Sequence, residues 1–352
     1  FTIFYMGINI GAFAATLVCG YLGETYGWHY GFGVAGIGMV IGLVTFLSGQ
    51  KHLHGLAEPH DTARLKRKSP LGLSVEHTIY LSGLLAVFAV WKMLQFHGAV
   101  GHMLNALSVA VLLGLGWFIA VKCNPVERSR MLVLVILTMS TVVFWALFEQ
   151  AAASMTLYAD RVLDRNIFGV EMTASQFGAL NAFFIFLFAP LFAWLWLFLA
   201  RRGLEPSTPV KFALGIAQAG LGFGALVIGA ATPNEAGMVL GYWMVLAYLL
   251  HTTGELCLSP VGLSAVTKLA VPSVVGVMMG AWFLATAYSE FVAAQLAQLA
   301  AVETVNGAVL DINVALASYT QLFSSLLYTG LGVAALLLLI SPLLKKMMHG
   351  IH

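Results

Sequence analysis

The chain has 352 residues, 60% of them hydrophobic and only 9% charged, with a mean hydropathy of +0.90. Soluble domains carry roughly a quarter charged residues, and disordered chains lack hydrophobicity, so both classes are excluded. The formal net charge of +2 is too small to mark nucleic acid as a partner.

A membrane-spanning helix needs about 20 mostly apolar residues. Ten stretches meet that requirement, at 1–22, 29–48, 78–97, 102–122, 130–157, 174–200, 210–231, 238–267, 273–301 and 319–344. The short alternating segments of a membrane β-barrel do not occur. The expected fold is therefore all-α and polytopic.

The first span opens at Phe1 with no charged anchor before it and no signal-peptide pattern, which predicts a fragment lacking earlier spans. Gly7-xxx-Gly11, Gly38-xxx-Gly42 and the series Gly31, Gly33, Gly36 predict close helix packing in the first two spans. The segment 49–77, rich in charge, His and Pro, reads as a linker. It separates two spans (1–48) from a hairpin of two more (78–129) and a final set of six (130–352). Six spans are half of a twelve-helix transporter.

Orientation follows from the basic residues. Lys51, Arg64, Lys66, Arg67 and Lys68 lie in the linker. If the spans alternate, Lys122, Arg128, Arg130, Arg201, Arg202, Lys211, Lys268, Lys345 and Lys346 share its side. Those are 14 of the 17 basic residues, against Lys92, Arg161 and Arg165 elsewhere. The split predicts a cytoplasmic linker and a cytoplasmic C-terminus.

Ionisable groups deep in a membrane are costly and mark function by default. Glu149, Glu255 and Glu290 are such groups. Spaced four apart, His251, Glu255 and Ser259 predict one polar stripe on a helix, and a membrane carboxyl can exchange protons, as a proton-coupled carrier requires. Structural interhelical bonds are the alternative. Trp145 lies one turn before Glu149, Trp282 stands alone in its span, and Asn181 must find a hydrogen-bond partner. Pro260 and Gly262 predict a discontinuous helix of the kind that forms binding sites. His251 with Glu255 offers only two metal ligands where three or four are needed, so no metal is expected. Cys19, Cys123 and Cys257 have neither metal-like nor disulfide-like spacing. No nucleophile with its base is visible, which argues against an intramembrane enzyme.

Several motifs add a resemblance. Phe4-Tyr5-Met6-Gly7-Ile8-Asn9-Ile10-Gly11, Tyr26-Gly27-Trp28-His29-Tyr30-Gly31-Phe32 and Phe144-Trp145-Ala146-Leu147-Phe148-Glu149-Gln150 are three of them. Leu180-Asn181 with Ala189-Pro190-Leu191-Phe192-Ala193-Trp194, Gly254-Glu255-Leu256-Cys257-Leu258-Ser259-Pro260-Val261-Gly262-Leu263-Ser264, and Trp282-Phe283-Leu284-Ala285-Thr286-Ala287 follow in order. Together they resemble the signatures of the proton-dependent oligopeptide transporter (POT, or PTR2) family of the major facilitator superfamily. The resemblance implies about ten helices of an expected fourteen, with 1–48 as the last two helices of an N-terminal bundle. Residues 78–129 would be an inserted hairpin and 130–352 a C-terminal six-helix bundle. It implies that Glu255 meets a peptide's amino terminus near Asn181 and Ser259. Asn9 would contact the peptide from the first bundle, Trp145 and Trp282 would line side-chain pockets, and Glu149 would couple protons. Ala182 stands where many members have proline, and Glu290 where many have an uncharged residue.

The implied function is proton-coupled symport of di- and tripeptides across the bacterial inner membrane by alternating access. Its partners would be small peptides, protons and the lipid bilayer, and the protein would be a monomer without cofactors. Another small substrate, such as nitrate or another metabolite, is the alternative.

Overall fold

The computed structural model describes residues 2–53, 61–68, 72–93, 95–167, 169–300, 304–305 and 308–351. The side chains of residues 2–6 fall outside the described set, as do residues 54–60 and 69–71 of the expected linker. Ten long helices account for the ten expected spans. They are α1 (Thr2–Tyr26), α2 (Trp28–Gly49), α4 (Val75–Met93), α5 (His97–Lys122), α6 (Pro125–Phe148), α8 (Ala179–Arg201), α9 (Thr208–Ala230), α10 (Tyr242–Leu269), α11 (Val275–Gln298) and α12 (Ile312–Met347). Two short helices, α3 (Thr62–Lys66) and α7 (Ser154–Arg161), complete the set.

Among the described residues, seven spans pass a joint test of length, hydropathy and low charge. α1, α4 and α10 are not among them, and in α10 His251, Thr252, Thr253, Glu255 and Ser259 make the middle polar. The few strands are two-residue pairings in loops, such as Leu163–Asp164 alongside Val239–Leu240.

The chain forms two compact units, residues 33–109 and residues 1–32 with 110–352. In the smaller unit, Asp61 caps α3 by accepting the Arg64 N–H at 2.9 Å. A bridge between Lys68 and Ser74 then leads into α4, whose Leu84, Leu85 and Val87 are exposed. Apolar side chains on the outside of a helix are what a lipid solvent calls for.

The larger unit holds the core. Phe144, Tyr158, Phe212, Phe223, Tyr319 and Phe323 are fully buried there, and Phe323 packs 5.1 Å from Tyr158 and 5.4 Å from Phe223 between ring centroids. α9 lies between α10 and α12 and touches both through glycines. A Cβ at Gly254 would come 2.7 Å from the Gly215 carbonyl oxygen, and one at Gly330 would come 2.9 Å from Gly220 Cα. Without hydrophobic driving force between helices in lipid, such close approach is what packing relies on. The expected packing glycines differ from these. A Cβ at Gly7, Gly11, Gly33, Gly36, Gly38 or Gly42 would meet no described atom within 4 Å, whereas Gly31 does press against Cys19 O and Gly23.

Two helices depart from the expected spans for local reasons. α6 starts at a capping box, with Asn124 accepting from Val126 and Glu127 and Glu127 accepting from Asn124 N–H. It ends at Phe148, and a 3₁₀ turn, Glu149–Ala152, precedes α7. The expected break in α10 does not occur, since the helix runs through Pro260 to Leu269. Gly262 serves instead as a notch for the Trp282 indole of α11.

Candidate functional site

Asn181 sits in the first turn of α8, after the 3₁₀ turn Ser175–Gly178. Its Nδ2 donates to Glu255 Oε2 at 3.0 Å and to Thr252 Oγ1 at 3.1 Å, both on α10. Thr252 in turn donates to the Tyr248 carbonyl at 2.7 Å, which leaves its oxygen free to accept from the amide. The Glu255 carboxylate is thus held toward α8 by a neutral donor at one oxygen, and its other oxygen has no hydrogen bond among the described residues. Ser259 is half-buried one turn further along α10.

The expected polar stripe splits. Glu255 faces α8, but the His251 ring is 1% exposed and lies against α9, 4.8 Å from the Phe223 ring and close on Gly222. Among the described residues, neither His251 ring nitrogen has a hydrogen-bond partner, and no group of three His, Cys, Asp or Glu could hold a metal.

At the end of α6, Trp145 packs edge-on against Phe144 and Phe148, both 5.3 Å away, and its indole N–H is buried without a partner among the described residues. Glu149 is the C-cap residue of that helix. Glu290 on α11 and Glu255 on α10 are both near enough to Glu149 to act on it electrostatically. Three carboxyl groups from α6, α10 and α11 therefore belong to one neighbourhood. Trp282 is 4% exposed, 6.3 Å from the Phe212 ring, and fills the Gly262 notch. Asn9 on α1 is buried.

Sequence reasoning passed over two residues. Thr252 gave no signal, because threonine is ordinary in membrane helices and bonds back onto its own turn. Gln150 is fully buried, and its Nε2 donates to the Ala146 carbonyl at 3.2 Å and to Ala293 of α11 at 3.0 Å, while Oε1 accepts from Ser154 at 2.6 Å. A glutamine inside an apolar run was the available clue.

The profile of the POT family (PTR2) matches residues 1–315. The chain is 36% identical to the "Uncharacterized transporter YclF" of Bacillus subtilis over 100% of this chain and 68% of that protein. It is 33% identical to the dipeptide and tripeptide permease A of Erwinia pyrifoliae over 99% of this chain and 68% of the permease. A crystal structure of a peptide transporter POT in complex with sulfate superposes with a TM-score of 0.76 at 33% identity, covering 99% of this chain and 68% of the other. The chain spans 60–68% of the length of the first curated relatives it matches. Its helices are those of the major facilitator fold, and it is a multi-pass membrane protein and not an enzyme. On sequence and structure alike, the chain belongs to the POT family.

Proposed function

We propose that this protein is a proton-coupled symporter that carries di- and tripeptides across the plasma membrane by alternating access. The observation that carries the reading is the Asn181–Glu255 pair, with Thr252 behind it. A peptide's α-amino group is a cation that loses water on entering a membrane site, and a carboxylate with one oxygen already oriented is suited to replace that water. Ser259 extends the polar face, and Asn9 approaches the peptide from the first helices. The unpaired Trp145 indole N–H is a donor for a peptide carbonyl, since buried donors ordinarily find a partner. Trp282, seated in its notch, backs the apolar wall.

Glu149 is the proton-coupling group in this reading, with Glu290 as its neighbour. A proton arriving there and a zwitterionic peptide at Glu255 together carry one positive charge inward, so an inward proton gradient drives uptake. The protein works as a monomer with residues 1–48 in one bundle, 130–352 in the other, and 78–129 as an inserted hairpin. The linker and the C-terminus face the cytoplasm.

Uptake of a labelled dipeptide into proteoliposomes, with and without an inward pH gradient, tests this. Accumulation that depends on the gradient and is competed by unlabelled di- and tripeptides supports it. Uptake indifferent to the gradient, or competition only by non-peptide solutes, refutes it.

A further inference from the structure

Glu24 lies two residues before the end of α1 and reaches across to the segment that starts α8. Its Oε1 accepts the Ser175 N–H at 2.7 Å and its Oε2 accepts the Ala174 N–H at 3.1 Å. These amides open the 3₁₀ turn that runs into α8, where main-chain N–H groups have no partner within their own turn. The carboxylate is a cap lent by another helix. Four further contacts lie at the same junction. Gln176 Nε2 donates to the Leu17 carbonyl of α1 at 3.3 Å. Gly20 lies so close to Ser175 that a Cβ there would collide with the serine hydroxyl. One turn deeper, a Cβ at Gly178 would rest 3.5 Å from Thr16 Cγ2, and Phe13 lies 6.1 Å from Phe183.

If α1 and α8 belong to different bundles, as the proposed function holds, this junction closes one mouth of the transporter and must part in every cycle. At the end of α1 the junction is made of hydrogen bonds and small residues, with the Phe13–Phe183 contact lying deeper. Its strongest members converge on one carboxylate, which takes its two bonds on the α8 side from main-chain N–H groups. We propose that Glu24 is the latch of this mouth, bridging α1 to the start of α8 with no cationic partner among the described residues and setting how long the mouth stays shut.

The test uses the intact transporter with Cys19→Ser and the pair Thr16→Cys and Gly178→Cys, which the structure places in contact range. Oxidative cross-linking of that pair, measured on the folded fraction recovered by gel filtration, reports the closed mouth. Loss of charge-assisted bonds to Glu24 should slow cross-linking about tenfold or more in Glu24→Ala. Glu24→Gln, which keeps one acceptor oxygen and the side chain's shape, should fall between Glu24→Ala and the parent. Cross-linking at the parent rate in both variants overturns the latch. The readout needs no substrate, so the two readings fail separately. Slowed cross-linking with no dipeptide uptake by the parent keeps the latch and sinks peptide transport, and normal uptake with insensitive cross-linking sinks the latch alone.

Discussion

Asn181 Nδ2 stands 3.0 Å from Glu255 Oε2, and this bond joins the first turn of α8 to the middle of α10. A bond between a neutral amide and a carboxylate inside a membrane protein should show as coupling. In a double-mutant cycle with Asn181→Ala and Glu255→Gln, peptide binding should reveal an interaction of about 0.5–3 kcal/mol. Strict additivity would mean that the two residues serve the ligand independently.

Glu255→Gln keeps the shape and a carbonyl acceptor but removes the charge. A hydrogen bond to a charged group contributes about 1.5–3 kcal/mol, so dipeptide affinity should fall roughly 10- to 100-fold. Titration calorimetry of the purified transporter measures it. The difference should largely vanish for N-acetylated peptides, and Glu290→Gln should be milder. Unchanged affinity in a folded Glu255→Gln protein would reduce Glu255 to an interhelical bond.

Gly254→Ala would drive a methyl group into the Gly215 carbonyl, where the obstacle is main chain and has little room to yield. Overpacking of this kind costs about 1–3 kcal/mol, and the melting temperature in detergent should drop by several degrees. Gly11→Ala is the contrast, since a Cβ there meets no described atom within 4 Å. Equal melting temperatures for the two variants would contradict the packing derived for α9 and α10.

Gln150→Leu removes the bonds to Ala146, Ala293 and Ser154 at once. The Ser154 hydroxyl then lacks this partner, a loss of about 1–3 kcal/mol when buried, and the Ala293 carbonyl keeps only its bond within α11. Thermal unfolding should move down clearly, while dipeptide affinity of the protein that stays folded should hold within a few-fold. A variant as stable as the parent would show that the bonds between the 3₁₀ turn and α11 are replaceable.

Single cysteines introduced in 49–77 and 345–352 should react only from the cytoplasmic side, and those in 158–172 and 302–318 only from outside. One site in 49–77 labelled by an impermeant reagent on intact cells would invert the orientation drawn from the basic residues.

Much of this molecule was legible before any coordinates, because hydrocarbon tolerates so little. Apolar runs long enough to span gave each long helix, and the cost of a carboxylate in lipid singled out Glu149, Glu255 and Glu290. Tertiary neighbours stayed hidden. Nothing in the spacing says that Glu290 comes near Glu149 from a different helix, or that His251 turns to α9 while Glu255 turns to α8. The break at Glu149 was hidden too, since Ala151, Ala152, Ala153, Met155 and Leu157 continue the hydrophobic run past the point where the main chain tightens. Small-residue motifs identified glycines able to admit a neighbour without saying which helix arrives. The contacts that formed use Gly215, Gly220, Gly254 and Gly330.

Those four glycines carry a mechanical consequence. Where two main chains touch, no rotamer can change to let one helix slide past the other, and interiors packed this way pass strain on without absorbing it. α10 and α12 are each bound to α9 in that manner, so a shift of one is passed to the others. α8 is tied to α10 by a side-chain amide, which can swing. α8 therefore has a freedom against α10 that α9 lacks, and the adjustable contact among these helices is the one made by Asn181.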